Sequence, residues 1–161
     1  MSPTVVRAFA PDDGEAVLAL ILAIQRQEFG VAITAADQPD LADVAGFYQT
    51  GAGQFWVAEG AGRVLGTIGL KDIGNRALAL RKMFVAAEAR GLGGVAADLL
   101  AAALAHARAR DVDAIWLGTT DRFLAAHRFY EKHGFTRVES DALPPAFPRM
   151  AVDSVFYRLA L

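Results

Sequence analysis

The stretch that decides the fold runs from Leu80 to Ala96 and reads LRKMFVAAEARGLGGVA. An apolar strand ending at Val85 is followed by a glycine-rich turn, and apolar residues then recur at helical spacing as far as Ala107. The first N–H groups of a helix lack intrahelical partners, and together with the helix dipole they favour an anion. Glycines allow close approach of the backbone, and Arg90 adds a positive charge. The segment therefore predicts a phosphate-binding turn on a helix that begins near Leu92.

The turn by itself leaves three interpretations open. It is a phosphate-binding turn, a strand-to-helix connection without a ligand, or a dinucleotide site, because Gly91, Gly93 and Ala96 fit the G-x-G-x-x-A pattern. That fingerprint belongs directly after the first strand of a parallel unit, whereas here about five residues separate Val85 from Gly91. No lysine follows the glycines as in a nucleotide triphosphatase, which disfavours that class.

The pattern on both sides of the turn predicts one mixed, mostly antiparallel sheet with helices on both faces, in the α/β (α+β) class. Three strands with short connections precede the turn, which is typical of an antiparallel meander, and the strand–helix–strand unit that follows favours a parallel crossover. Asp12, with Glu15 three residues later, is the expected N-cap of the first helix. Strands are predicted at 4–10, 54–59, 64–70, 77–85, 114–117, 135–138 and 155–161, and helices from 12 to about 29 and at 41–50, 92–107 and 124–132.

The composition is that of a globular domain without a broad electrostatic footprint. Of the 161 residues, 54% are hydrophobic, and 16 basic residues face 18 acidic ones. We expect a single domain over 1–161, with neither a nucleic-acid nor a membrane partner. There is no cysteine, and the three histidines share no metal-ligand spacing, so no metal is predicted. The lack of a signal-peptide pattern favours a cytoplasmic location.

A second informative stretch, residues 126–135, reads AAHRFYEKHGF when Ala125 is included. Together with Met83-Phe84-Val85 and the turn from Arg90 to Ala96, it resembles the GNAT superfamily of acetyltransferases. The family pairs a strand ending in a hydrophobic-x-Val pattern with an R/Q-x-x-G-x-G/A turn, followed by an A-x-x-x-Y-E-K-x-G-F segment. The strand and helix order also matches over nearly the whole chain. The resemblance implies the GNAT-like acyl-CoA N-acyltransferase fold and acetyl-CoA as cosubstrate.

The resemblance implies a role for each matching position. The backbone of Met83, Phe84 and Val85 would pair with the pantetheine arm, and a backbone N–H of the same strand would stabilise an oxyanion. Tyr130 would act as general acid, since a phenol pKa near 10 suits a thiolate leaving group. His127 either faces the cofactor or packs on the next strand. The pyrophosphate would be bound by the side chain of Arg90 and by amides of Gly91, Leu92, Gly93, Gly94, Val95 and Ala96.

The sequence also departs from the family pattern. Val95 stands where Gly or Ala is expected, which an extra residue in the turn reconciles. Phe123 replaces the family's asparagine, so its hydrogen bond to the pantetheine arm would come from Thr119 or Thr120. No glutamate lies on the strand before the turn, and we take Glu28 as the tentative general base, its alternative being a solvated carboxylate at a helix end.

The acceptor side of the site is less well defined by the sequence. Residues 38–41 (Gln-Pro-Asp-Leu) and Trp56 lie where the family places acceptor elements, although Trp56 also suits a core position. Arg149 is the charge of a proline-rich loop over 143–150 and would suit an acceptor carboxylate. The expected function is acetyl transfer to a primary amine of a small molecule or peptide; the alternative is a non-catalytic acyl-CoA-binding regulatory module. A homodimer is the default expectation for the assembly.

Overall fold

A computed structural model describes residues 4–27, 30, 34–90, 94–121 and 123–161. One seven-stranded sheet runs through this part of the chain in the order β1-β2-β3-β4-β5-β7-β6. All neighbouring strands are antiparallel except β4 and β5, which are parallel. The predicted mixed, mostly antiparallel sheet is therefore confirmed. The strands are β1 (Val5–Ala8), β2 (Gln54–Gly60), β3 (Arg63–Asp72), β4 (Ala77–Val85), β5 (Ala114–Thr119), β6 (Thr136–Val138) and β7 (Val155–Ala160).

The helices match the prediction in order but differ at their ends. The predicted helix at 41–50 is divided at Asp43, whose non-helical backbone (φ −145°) interrupts it and whose carboxylate accepts a hydrogen bond from the Gly46 N–H at 3.0 Å. The predicted start near Leu92 is wrong, because the helix begins at Val95. The helices are α1 (Gly14–Gln27), α2 (Pro39–Ala42), α3 (Val44–Tyr48), α4 (Val95–Ala109) and α5 (Leu124–Lys132).

The carboxylate at the start of α1 is Asp13, which corrects the prediction of Asp12. Asp13 accepts a hydrogen bond from the Ala10 N–H at 2.8 Å and two from the Arg7 guanidinium at 2.8 and 2.9 Å, whereas Asp12 is exposed. These hydrogen bonds from Arg7 hold the pKa of Asp13 below its usual range. The guanidinium on β1 decides which of the two neighbouring aspartates is turned inward.

The two faces of the sheet carry different layers. α4 and α5 cover one face, where Leu78, Leu99 and Tyr157 belong to the largest apolar cluster. On the other face, α1, α2 and α3 cover the β2–β3 side with a second cluster that includes Ile21 and Phe55. Beyond them the connection between β6 and β7 packs on the same face, with its Phe147 against the third cluster at Ile73, Ala77 and Ala79. β4 thus runs between two separate covering layers on this face.

No helix in the described ranges is long and apolar enough to cross a bilayer.

Trp56 belongs to the largest cluster and is 7% exposed, so its core interpretation is confirmed.

Candidate active site

The parallel strands β4 and β5 separate soon after they pair. Ala77, Leu78 and Ala79 face Ala114, Ile115 and Trp116, and the registered pairing ends there. β4 continues for six further residues and β5 for three, with β5 now paired only with β7. From Leu80 onward, β4 therefore has a β3 neighbour on one side and, among the described residues, no strand on the other. An extended ligand could pair with this open edge as an additional strand would.

A β-bulge lies at the centre of this open edge. Thr67 of β3 faces Phe84 and Gly69 faces Arg81, so two residues of β4, Lys82 and Met83, stand opposite one residue of β3. Lys82 has a left-handed φ of +56°, and its carbonyl accepts a hydrogen bond from the Thr67 hydroxyl at 2.7 Å. An extra residue re-aims the backbone and the side chains that flank it.

The bulge places two consecutive cations on the same face of the sheet. The Arg81 guanidinium lies over the Phe47 ring of α3, and the Lys82 ammonium contacts Gln38 and Asp40 beside and in α2. In a regular strand, successive side chains would point to opposite faces. The face shared by α2 and α3 therefore receives both charges at the point where β4 leaves β5.

Lys82 is the centre of a buried polar cluster that consists of Gln25, Gln38, Asp40, Tyr48 and Lys82. Its ammonium donates a hydrogen bond to Gln38 Oε1 at 2.8 Å and lies 3.7 Å from Asp40 Oδ2. The Tyr48 hydroxyl donates to the same Asp40 oxygen at 2.6 Å, and Gln25 and Gln38 exchange hydrogen bonds at 3.0 and 3.1 Å. Burial lowers the pKa of Lys82, while Asp40 opposes that shift.

Of this cluster, the sequence had pointed only to the segment 38–41, which does lie beside β4. The signal for Lys82 was available: two adjacent charges, Arg81 and Lys82, interrupt an otherwise apolar strand. Such a break in the alternation indicates either an exposed edge or a bulge.

Tyr130 is on α5, between β5 and β6 in the chain. The residue is 7% exposed, and its ring lies 5.5 Å from the Phe135 ring and 6.1 Å from the Tyr157 ring. Every fully buried side-chain nitrogen or oxygen of the described residues has a hydrogen-bond partner, whereas the Tyr130 hydroxyl has none among them. The hydroxyl oxygen is therefore not completely enclosed. Burial raises the pKa of Tyr130, which keeps the phenol neutral at physiological pH.

The other residues predicted to meet the cofactor lie at the ends of β4 and β5. Met83, Phe84 and Val85 are the last three residues of β4, and their backbone belongs to its open edge. Thr119 ends β5, and its carbonyl accepts a hydrogen bond from the Ser154 N–H at 2.9 Å. His127 lies on α5: its Nε2 is 2.8 Å from the Thr120 carbonyl oxygen, and its ring is 6.0 Å from that of Tyr157.

The glycine turn is described only at its two ends. Arg90 Nε donates to the Val85 carbonyl at 2.9 Å, which ties the turn to the end of β4. Gly94 has a left-handed φ of +79° and precedes Val95, whose side chain is buried in the core beside α4. The side chain of Val95 therefore points away from the turn, and only its amide is available to a ligand. Gly91, Leu92 and Gly93 lie outside the described residues, as does the tentative base Glu28.

Arg149 is exposed and stacks on the Phe156 ring at 4.9 Å rather than joining the cations of β4. It lines a cavity of about 260 Å³ between β6, β7 and their connection, together with Asp153 and Ser154.

The four antiparallel strands before the turn also exclude a dinucleotide fold of parallel βαβ units.

Comparisons with known proteins agree with this geometry. Residues 18–135 match the acetyltransferase (GNAT) family. An N-acetylaspartate synthetase from Danio rerio is 32% identical over 124 residues, which cover 74% of this chain and 44% of that protein. The chain thus spans less than half the length of this curated relative.

Two solved structures are similar over nearly their full length. An acetyltransferase of the GNAT family from Staphylococcus aureus Mu50 is 35% identical, with a TM-score of 0.94 and 99% of both chains covered. An acetyltransferase from Streptococcus agalactiae 2603 is 28% identical, with a TM-score of 0.91 and 98% of both chains covered. The predicted fold and the resemblance to the family are confirmed: the chain belongs to the GNAT family of acetyltransferases.

Proposed function

We propose that this chain transfers an acetyl group from acetyl-CoA to the primary amine of a small molecule or peptide, by direct attack of the amine in a ternary complex. The observation that carries the proposal is the open, bulged edge of β4, which leads through Arg90 to the N-terminus of α4. A strand edge suits the amide-bearing pantetheine arm, and a helix N-terminus suits the pyrophosphate. Acetyl-CoA supplies the activated thioester.

Each predicted cofactor contact has a place in this arrangement. The backbone of Met83, Phe84 and Val85 would bind the arm, and the amides of Gly94, Val95 and Ala96 belong to the free N–H groups at the start of α4. The side chains of Arg90, Thr119 and His127 are proposed as further contacts. Gly91, Leu92 and Gly93 complete the proposed pyrophosphate site.

Tyr130 is proposed as the general acid. As the amine nitrogen bonds to the acetyl carbon and the carbon–sulfur bond breaks, the neutral phenol donates its proton to the departing thiolate. Its raised pKa, caused by burial, keeps the proton in place until the thiolate forms. The amine releases its own proton to a base, for which Glu28 is the proposed residue.

A thiol-release assay over a broad amine panel tests this function, and Tyr130→Phe tests the acid. We expect kcat to fall by about 10²–10⁴-fold in Tyr130→Phe, the usual contribution of a general acid, with CoA affinity unchanged by calorimetry. Tyr157→Phe is the matched control, because Tyr157 is also buried and its hydroxyl donates to Glu131 at 2.5 Å. Its kcat should stay within about twofold of the wild type.

Two results would decide against parts of the proposal. Equal kcat in Tyr130→Phe and the wild type removes the acid role. Binding of CoA without turnover of any amine favours the alternative, a non-catalytic acyl-CoA-binding regulatory module, for which the absence of a carboxylate at Ala77, Ala79 and Arg81 is the supporting observation.

A further inference from the structure

We propose that the acceptor carries a carboxylate next to its amine, as an amino acid does, and that Arg81 binds this carboxylate with Lys71 beside it. The inference rests on the proposed acetyl transfer and names the class of acceptor for that same site. It is carried by two cations, Lys71 of β3 and Arg81 of β4, that lie against the same aromatic ring, that of Phe47.

Lys71 and Arg81 converge on Phe47. Lys71 Nζ lies 4.1 Å from the centroid of the Phe47 ring, and the Arg81 guanidinium carbon lies 5.4 Å from it. Lys71 Nζ also lies 3.4 Å from the Phe47 carbonyl oxygen. Both side chains are half-buried, so they are held in place while their charged groups still face solvent.

Neither cation forms a close ion pair. Among the described residues, no carboxylate oxygen lies within 4 Å of Arg81 or Lys71, although Arg7, Arg63, Arg76 and Lys82 all have such a partner. The Arg81 guanidinium contacts Met150 Sδ at 3.7 Å, a weak acceptor, and its charge opposes the rise that burial causes in the pKa of Tyr48 and of Asp153. The charge of Lys71 likewise helps to lower the pKa of Asp72. Two cations side by side without a close ion pair can attract a further anion.

The carboxylates near this face have closer partners than Arg81. Asp153, in the connection between β6 and β7, is half-buried and accepts a hydrogen bond from the Met150 N–H at 2.9 Å, while the charge of Arg81 acts on it from beyond 4 Å. Asp40 is held by Lys82 and Tyr48. The guanidinium of Arg81 therefore has no bidentate carboxylate among the described residues, and an incoming carboxylate would supply one.

Arg81 is also at the right place along the strand. It immediately precedes the bulge at Lys82, beyond which Met83, Phe84 and Val85 are the proposed backbone contacts of the pantetheine arm that ends in the thioester. Only the bulged residue, Lys82, separates Arg81 from Met83 along β4. An amino acid bound through its carboxylate at Arg81 can thus direct its amine toward the thioester carbonyl.

The test compares pairs of acceptors that differ in their acidic group. The acceptors are alanine and alaninamide, glutamate and glutamine, and β-alanine and O-phosphoethanolamine. We expect kcat/KM of the wild type to be at least tenfold higher for alanine than for alaninamide. In Arg81→Gln this preference should be lost because kcat/KM for alanine falls, while turnover of alaninamide should change less than twofold. Arg108→Gln, at an exposed arginine of α4 on the opposite face, is the matched control and should keep the preference.

The outcomes separate this inference from the proposed function. If alaninamide is acetylated as fast as alanine, if O-phosphoethanolamine is preferred over β-alanine, or if Arg81→Gln keeps the wild-type preference, the inference is wrong while acetyl transfer stands. If no amine is acetylated, the proposed function fails, and calorimetry of alanine and alaninamide on the CoA-loaded protein decides the inference. Binding of alanine that is weakened by Arg81→Gln supports it, and equal or absent binding overturns it.

Discussion

Arg81 and Lys82 are neighbours in the sequence with the same charge, yet the regions around them are opposite in character. Lys82 has a side chain that is 8% exposed, and it contacts Gln38 and Asp40 in a buried cluster where Tyr48 donates to the same Asp40 carboxylate. Arg81 lies over a ring and beside a thioether and has no carboxylate oxygen within 4 Å among the described residues. The comparison teaches that a bulge can separate two roles on one strand: one cation fastens the covering helices to β4, and the next remains available to a ligand.

The energetics of the two positions differ for the same reason. A buried charge needs a partner, because its hydration is lost and only close hydrogen bonds and an opposite charge replace it. A half-buried guanidinium keeps much of its hydration, so it does not need an opposite charge beside it in the unliganded protein.

Loss of the carboxylate from the buried cluster should have the largest effect. Asp40→Ala leaves Lys82 buried without its counter-charge and removes the acceptor of the Tyr48 hydroxyl. We expect the free energy of unfolding to fall by about 3–5 kcal/mol, as measured by urea denaturation. Asp43→Ala, which removes an exposed helix cap nearby, should cost about 1 kcal/mol. Equal costs for the two variants would show that Asp40 is no more than a surface charge.

The hydrogen bond that fastens the bulge should come next. Thr67 is fully buried, and its hydroxyl donates to the Lys82 carbonyl at 2.7 Å. Thr67→Val keeps the shape but leaves this carbonyl without that donor, so the free energy of unfolding should fall by about 1–2 kcal/mol. Thermal unfolding followed by circular dichroism measures the change. A variant as stable as the wild type would mean that the bulge holds its conformation without Thr67.

The pH dependence of stability isolates Lys82. Its folded-state pKa is lowered by burial, so between that pKa and the unfolded value of 10.5 the unfolded chain binds more protons. The wild type should therefore gain stability relative to Lys82→Met as pH rises through this window, by less than about 1.4 kcal/mol per pH unit for one proton. Urea unfolding of both proteins at pH 7, 8, 9 and 10 measures the difference. Parallel pH profiles would show that Lys82 titrates as it does in the unfolded chain.

Removal of the open cation should have the smallest effect on stability. Arg81→Gln breaks no ion pair within the described residues, and we expect the free energy of unfolding to stay within about 0.5 kcal/mol of the wild type. Comparison with Asp40→Ala under the same conditions gives the contrast directly. A loss as large as that of Asp40→Ala would show that Arg81 belongs to the structural cluster.

Much of the architecture was predictable because it rests on local patterns. The alternation of residues in β2, β3 and β4, the helical spacing after the turn and the turn residues Gly60–Arg63 are all encoded within a few neighbours. Two boundaries were wrong for a tertiary reason. Asp13 rather than Asp12 is turned inward because Arg7 reaches it from β1, and α4 begins at Val95 because the core beneath it buries that side chain.

The candidate site divides in the same way. The order of motifs was enough to predict that the strand, the turn and Tyr130 take part in acetyl-CoA chemistry, since each is a contiguous segment. Whether Tyr130 packs or meets the cleft depends on which of its atoms reaches accessible space, and that is a property of α5, β6 and β7 together. Asp40 and Lys82 meet only because α2 folds over β4, so their pairing across 42 positions of the chain left no local signal.

The sequence alone was enough to predict the family and the order of helices and strands along the chain, because periodicity, turn residues and motif order are properties of contiguous segments. Only the tertiary structure decided what becomes of the charges in LRKMFV: the pairing of β3 with β4 leaves one extra residue at Lys82, and the bulge turns both cations to one face. One of them lies beneath α2 next to a carboxylate, and the other lies in the gap where β4 leaves β5. Long-range packing, and not the identity of either residue, makes one structural and the other available for binding.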